Sequence, residues 1–368
     1  MALRILQCIS GLTAGGAESL VKDLAIGLRR KGATVAIAYV SDAASIGQST
    51  EFETRFREDL EANGIAVYEI GHAARRNPLT GTVRLRKILK DFKPDILHIH
   101  LAYGLLFHVL DLSCTPTVYT HHHHTIFTFP RVFFRVFDRR VKRYVAICGV
   151  CEDELKKRVG KPTTLIRNAL RAGRIIPTPN KPVSKTLRVL SVGGISWRKD
   201  YVTTVHVAAS VAPELKSRGL SVRFEVAGDG AEVEQLRQLA KDMGVADVVH
   251  FLGARSDVPD LMAQSDMLLM TSVTEGMPIT LIEALHTGLP IVATDVGGNA
   301  ECIVPGENGY LVTPKDVPGI AAAVLKVLGD PALRAAMRGV SIAKSAEFGL
   351  DAFLAKHEAL YAELARAR

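Results

Sequence analysis

Short β-branched runs alternate with amphipathic stretches along most of the chain. In the first half, strands are predicted at Arg4–Ile9, Thr34–Val40, Ala66–Ile70, Asp95–Ile99, Thr117–Thr120, Tyr144–Ile147 and Thr164–Arg167. Helical periodicity falls between them at Glu18–Arg30, Glu51–Ala62 and Thr82–Asp91. Strands alternating with helices predict a parallel sheet covered on both faces. The stretch Arg171–Lys185 holds Pro177, Pro179, Pro182 and Asn180 with little apolar material, and reads as a linker. The alternation then restarts. Strands are expected at Arg188–Val192, Arg223–Ala227, Val248–Leu252, Met267–Met270 and Pro290–Ala293, with helices from Val202, Ala231, Asp257 and Pro278. A last helix, about Asp351–Ala367, either closes the second half or folds back on the first. Ligands of open α/β sheets bind beyond the carboxyl ends of the strands, so those turns matter most.

Composition narrows the class. With 368 residues, 48% hydrophobic and 23% charged, the chain is long enough for two cored domains and unlike disordered or collagenous sequences. No apolar run approaches the ~18–20 residues of a membrane span, and the first residues lack the apolar core of a signal peptide. Five cysteines suit a reducing, cytoplasmic setting better than a disulfide framework. Charge is uneven. Residues 1–180 carry 27 Lys and Arg against 16 Asp and Glu, whereas the remainder carries 19 against 22. An anionic partner is therefore expected for the first half: a phosphorylated substrate, a membrane surface or nucleic acid. No nucleic-acid recognition motif accompanies the charge.

Several turns could carry chemistry. The first strand runs into Ser10–Glu18, with Gly11, Gly15 and Gly16 ahead of a helix, where backbone N–H groups can meet an anion or simply make a turn. The spacing is neither a Walker loop nor GxGxxG. A second Gly-rich turn, Ser191–Asp200, sets Arg198 and Lys199 beside Gly193 and Gly194 at a helix start. Cations there are poorly placed unless an anion is near, so Lys199 and Arg198 are phosphate-binding candidates. In Glu275–Ala284, Pro278 suits a first helical turn and Gly276 permits unusual backbone. Glu283 lies eight residues beyond Glu275, roughly 12 Å at helical rise, enough for two carboxylates to reach different sugar rings of one ligand. A buried structural carboxylate is the plainer reading of Glu283.

His98 and His100 alternate on one strand and share a face, and His121–His124 follow the next strand. Without HExxH or finger spacing, these read as polar contacts to a substrate, and no metal site is expected. Cys148 and Cys151 read as helix-start thiols. Residues 131–143 sort by helical position into an apolar stripe (Phe133, Phe137, Val141) and a basic one (Arg131, Arg135, Arg139). That pattern fits either a helix on an anionic bilayer or a domain helix with its stripe in the core.

Taken in order, Gly15–Glu18, Asp95–His100, Thr120–His122, Ile166–Ala169, Val192–Lys199, Ala227–Gly230, the Glu275…Glu283 box, Ala293–Gly298, Glu301 and Asn308–Gly309 resemble the retaining glycosyltransferases of group 1, or family four. The resemblance implies the α/β GT-B fold: two Rossmann-like domains with parallel sheets facing across a cleft. An acceptor-side domain would span 1–176, with helix 350–368 crossing back to it, and a nucleotide-sugar-binding domain would span 185–349. By matched position, Lys199 would bind the donor diphosphate, Glu275 the transferred sugar and Glu283 the ribose, and Gly16 would approach the diphosphate or the acceptor. The implied donor-binding set is Gly16, Gly193, Gly194, Arg198, Lys199, Glu275, Gly276, Met277, Pro278 and Glu283. The catalytic set is His122, Lys199 and Glu275, with His121 the alternative to His122. The family usually places Arg where this chain has Gly194, so Arg198 is expected to supply that charge. An acidic group usual after the last strand of the first domain is missing at Asn168–Arg171.

The expected activity is metal-independent, retaining transfer of a sugar from a nucleoside-diphosphate-sugar to a glycan or lipid-linked acceptor, with no cofactor. Charge growing on the leaving diphosphate favours cations and helix N-termini over a dedicated base. Polysaccharide or glycolipid assembly at the inner membrane face would explain the basic first half. A nucleotide-sugar epimerase of the same fold, and an inactive membrane-binding relative, are the alternatives.

Overall fold

The computed structural model describes residues 2–13, 15–47, 49–111, 113–122, 131–171, 175, 177–178 and 184–367, with the backbone alone at 103 and 131–133. His123 and His124, the side chains of Arg131 and Phe133, and Pro179, Asn180 and Pro182 of the expected linker lie outside the described residues. The chain divides into two compact units, residues 1–169 with 350–368, and residues 170–349.

Unit 1 holds strands β1 (Arg4–Ile9), β2 (Thr34–Tyr39), β3 (Ala66–Glu69), β4 (Ile96–Ile99), β5 (Thr117–His121), β6 (Val141–Ala146) and β7 (Thr163–Leu165). They form one parallel sheet in the order β3-β2-β1-β4-β5-β6-β7. Its central strands are buried on both faces, as parallel strands under two helical layers must be, and the short edges β3 and β7 are part-exposed. Helix Leu350–Arg366 packs into this unit, burying Phe353, Leu354, Leu360, Tyr361 and Leu364. It approaches helix Gly16–Arg30 closely because residue 27 is glycine: a Cβ there would stand 2.6 Å from Leu354.

Unit 2 holds β8 (Thr186–Val192), β9 (Ser221–Ala227), β10 (Val249–Gly253), β11 (Met267–Met270), β12 (Ile291–Thr294) and β13 (Gly309–Val312), parallel in the order β10-β9-β8-β11-β12-β13. Its core joins Val189, Phe224, Val226 and Met267 of the sheet to Val205, Val211 and Val324 of the covering helices. Arg334 and Arg338 are buried among backbone carbonyls, with Arg338 donating to Ser265 at 2.9 Å and Thr178 at 3.2 Å. Burial pushes both guanidinium pKa values down.

Every strand the sequence predicts forms, with bounds shifted by up to three residues, and β13 is additional. Two expectations need correction. The basic helix over 131–143 ends at Phe137, and Val141 opens β6 instead. Phe137 and Val141 of the apolar stripe are buried, Phe137 edge to face with Phe134, so this part of the stripe lies in the core. The second concerns the Glu box. Pro278 is the extended N-cap of helix Ile279–Thr287 and not a residue of its first turn, so helical rise does not apply to the three residues that follow Glu275.

Candidate functional site

In both sheets the chain leaves the first strand to one side and returns on the other, so the topological switch lies between β1 and β4 in unit 1 and between β8 and β11 in unit 2. Turns at such points diverge and leave room for a ligand.

In unit 2, Lys199 follows β8 and Glu275 follows β11. Lys199 Nζ meets Glu275 Oε1 at 2.6 Å, and Ser272 Oγ donates to the same oxygen at 2.6 Å. Thr271 Oγ1 lies 3.1 Å from the Lys199 carbonyl and 2.9 Å from that of Asp200, tying the two turns together. The Arg198 carbonyl accepts from Val273 N–H at 2.8 Å, while its side chain is exposed. Gly193 accepts from Tyr201 OH at 3.1 Å, and Gly194 is exposed beside it. Glycine is required where these turns touch. A Cβ at Gly228 would stand 1.9 Å from the Gly193 carbonyl oxygen. Gly297, at φ +55°, comes so near Glu275 that a Cβ would stand 2.1 Å from its carbonyl oxygen. The Gly276 carbonyl accepts from Gly298 N–H at 2.6 Å, Met277 is buried, and Glu283 is buried on helix Ile279–Thr287.

In unit 1, Gly16 is the first residue of helix Gly16–Arg30, after an extended N-cap at Gly15. Glu18 folds back over this turn and accepts from Ser10 Oγ. His122 Nε2 lies 3.0 Å from His100 Nδ1, and His100 Nε2 lies 2.7 Å from Gln7 Oε1. His121 turns to the opposite face and is buried, with Nδ1 3.2 Å from Tyr119 OH. A small cavity with room for about one water molecule is lined by His100, Thr120, His122, Asn168 and His357 among apolar neighbours. Among the described residues, no three His, Cys, Asp or Glu side chains are grouped to hold a metal ion. Cys148 caps helix Gly149–Lys156, its sulfur accepting from Cys151 N–H at 3.4 Å, and both thiols are buried.

The structure thus brings together Gly193, Lys199 and Glu275 in unit 2, and in unit 1 places His122 against His100. Sequence reasoning missed Ser272, which orients Glu275, and Gln7, Tyr361 and His357 around the histidines. Ser272 could have been found three residues before Glu275. Tyr361 carries no local signal.

The histidines of unit 1 have a consequence for stability. His98, His100, His108 and His357 are held neutral chiefly by burial, with His108 and His357 pushed down to about 4. The unfolded chain takes up protons below its ordinary histidine pKa of 6.5, and the folded unit does not. Stability is therefore complete above pH 6.5 and is lost as pH falls toward 4, by up to about 3 kcal/mol for each of His108 and His357. Urea unfolding should show a much lower midpoint at pH 5 than at pH 7.5, and equal midpoints would contradict the burial of neutral imidazoles.

The family model for group 1 glycosyl transferases matches residues 175–340, and that for glycosyltransferase family 4 matches residues 14–173. An uncharacterized glycosyltransferase of Haemophilus influenzae is 26% identical over 92% of this chain and 94% of its own. The Escherichia coli UDP-Gal:alpha-D-GlcNAc-diphosphoundecaprenol alpha-1,3-galactosyltransferase is 27% identical over 68% of this chain and 70% of its own. The crystal structure of Anabaena HepE with UDP and glucose superposes with a TM-score of 0.80 over 98% of this chain and 100% of that one, at 21% identity. The fold is GT-B, with two Rossmann-like domains of seven and six parallel strands. The chain belongs to the group 1 glycosyltransferases, the family-four type.

Proposed function

We propose that this glycosyltransferase moves a sugar, with retention of configuration, from a nucleoside-diphosphate-sugar to a glycan or lipid-linked acceptor in polysaccharide or glycolipid assembly. The observation that carries the reading is the Lys199–Glu275 pair at the switch point of unit 2. An ammonium shared with one carboxylate oxygen is a ready receptor for a diphosphate. When the diphosphate takes Lys199, Glu275 is released toward the sugar. The exposed Arg198 and the amino end of helix Ile279–Thr287 add positive potential as the phosphate leaves. No metal or cofactor enters this scheme. A departing phosphate oxygen takes the acceptor proton, so no protein base is needed. His122 of unit 1 contacts substrate, and Glu283 takes the ribose. The UDP named with the HepE structure and the diphosphoundecaprenol named for the Escherichia coli relative support a UDP donor and a lipid-diphosphate acceptor class.

A thermal-shift panel of UDP- and GDP-sugars, followed by turnover and NMR of the product anomer, tests the reading. Stabilisation by one donor and an anomer of unchanged configuration are expected. An inverted anomer, or no bound sugar nucleotide, overturns it. An epimerised sugar from donor alone would point to the epimerase alternative.

The reading also places the enzyme on an anionic membrane, through a surface different from residues 131–143. Among the described residues no helix is long and apolar enough to cross a membrane. Helix Pro78–Phe92 exposes Leu79 (64%) and Val83 (66%) one turn apart, with Lys87 and Lys90 following on the same face. Residues 72–93 carry seven Lys and Arg against one acid, Asp91. Apolar side chains within a basic field suit an anionic bilayer, at about 1 kcal/mol per cation near the surface. Lys87→Glu with Lys90→Glu should lower partition into phosphatidylglycerol vesicles at least ~10-fold, and raised salt should do the same. Binding that ignores both the substitutions and the salt would reject this surface.

A further inference from the structure

Six polar side chains of unit 1 form one string that begins inside the domain and ends at His122. Gln7 on β1 and His98 on β4 are register partners of neighbouring strands, and both are fully buried. Gln7 Nε2 donates to Tyr361 OH at 3.3 Å, and Tyr361 OH lies 2.6 Å from His98 Nδ1. His98 Nε2 lies 2.7 Å from Thr120 Oγ1. On the other arm, Gln7 Oε1 lies 2.7 Å from His100 Nε2, and His100 Nδ1 lies 3.0 Å from His122 Nε2. A domain that needed only to fill this space would use apolar residues, because buried polar groups cost stability unless all are satisfied.

The string has a direction, and Gln7 sets it. A carbonyl oxygen only accepts, so His100 Nε2 carries the hydrogen it shares with Gln7 Oε1. A neutral imidazole has one N–H, so His100 Nδ1 is unprotonated and accepts from His122. His122 must then carry its hydrogen on Nε2. On the inner arm the amide donates to Tyr361, whose hydroxyl donates to His98 Nδ1, and His98 Nε2–H donates to Thr120. Turning the Gln7 amide over would reverse every bond. Burial keeps His98 and His100 neutral, as this logic requires.

We propose that Gln7, His100 and Tyr361 are positioning residues that lock His122 in the Nε2–H tautomer, so that its Nδ1 is a hydrogen-bond acceptor for a hydroxyl of the sugar substrate. The substrate part rests on the role given to His122 above. The tautomer part stands on the hydrogen-bond geometry and on the burial that keeps His100 neutral. Tyr361 hydrogen-bonds Gln7 and His98 from a helix 263 residues beyond His98 in sequence, so the C-terminal helix sets the chemistry of a residue it does not neighbour along the chain.

Long-range ¹⁵N–¹H correlation spectra of protein labelled at histidine, with His122 assigned through His122→Gln, read the tautomer without any substrate. His122 should show only the Nε2–H pattern at pH 7.5. In Tyr361→Phe the amide loses its acceptor and can turn over, so His122 should become a mixture. Gln7→Glu should invert it. A carboxylate beside His100 favours the imidazolium, whose Nδ1–H then donates to His122 Nε2 and forces the proton of His122 onto Nδ1. That variant should lose ~10-fold or more in kcat, with donor KM little changed. A wild-type His122 protonated on Nδ1 overturns the proposal even if both variants fail to fold. So does a His122 tautomer that neither substitution moves. If the tautomer inverts in Gln7→Glu while turnover stays normal, the positioning role falls and the reading of Lys199 and Glu275 is untouched.

Discussion

Lys199→Ala is expected to reduce kcat/KM at least ~10²-fold, the scale of losing one preorganised charge contact to a leaving group. The side chain sits where the turn after β8 meets the turn after β11, and its part-buried ammonium has Glu275 Oε1 at 2.6 Å. Charge on the departing diphosphate grows as the glycosidic bond breaks, so the lost contact is worth more in the transition state than in the ground state. The loss should therefore fall on kcat more than on KM. Circular dichroism should show an intact fold, because Lys199 contributes no core surface. Near-normal turnover would refute the assigned role.

Glu275→Ala is expected to lower transfer at least as much, with an opposite signature in binding. The carboxylate is given to the sugar and also holds Lys199 in the free enzyme. Removing it should leave the affinity for free nucleoside diphosphate unchanged or tighter, since Lys199 no longer has to leave a partner. Calorimetry with the nucleoside diphosphate, beside a turnover assay, separates the two effects. Equal loss of diphosphate binding and transfer would contradict the sugar contact. The double variant adds a check. If the ion pair served only stability, replacing both residues would restore the activity that each single change removes, and no such rescue is expected.

Much of this was legible in the chain. The β11 run Met267–Met270 is uniformly apolar, and the β4 run Ile96–Ile99 is apolar but for His98, because strands buried on both faces leave no solvent side, and such runs stand out. The turns could be read for the same local reason: Gly193 and Gly297 take backbone angles or contacts that few other residues tolerate. Legibility failed where the deciding contact was distant. Residues 131–143 repeat with helical spacing, yet the segment breaks after Phe137 because Val141–Ala146 gains more by pairing with β5. β13 escaped notice because it is four residues long and only Gly309 is buried.

The sequence by itself determined two layered α/β units, the Gly-rich turns at strand ends and the family, and it singled out Lys199 and Glu275 as candidates. All of these follow from local periodicity, backbone permissiveness or short motifs. Only tertiary structure decided that Lys199 pairs with Glu275 across 76 positions, that His122 rather than His121 joins His100, and that Tyr361 reaches His98. Those contacts depend on strand order and helix docking, which bring together side chains whose separation along the chain carries no trace of their nearness in space.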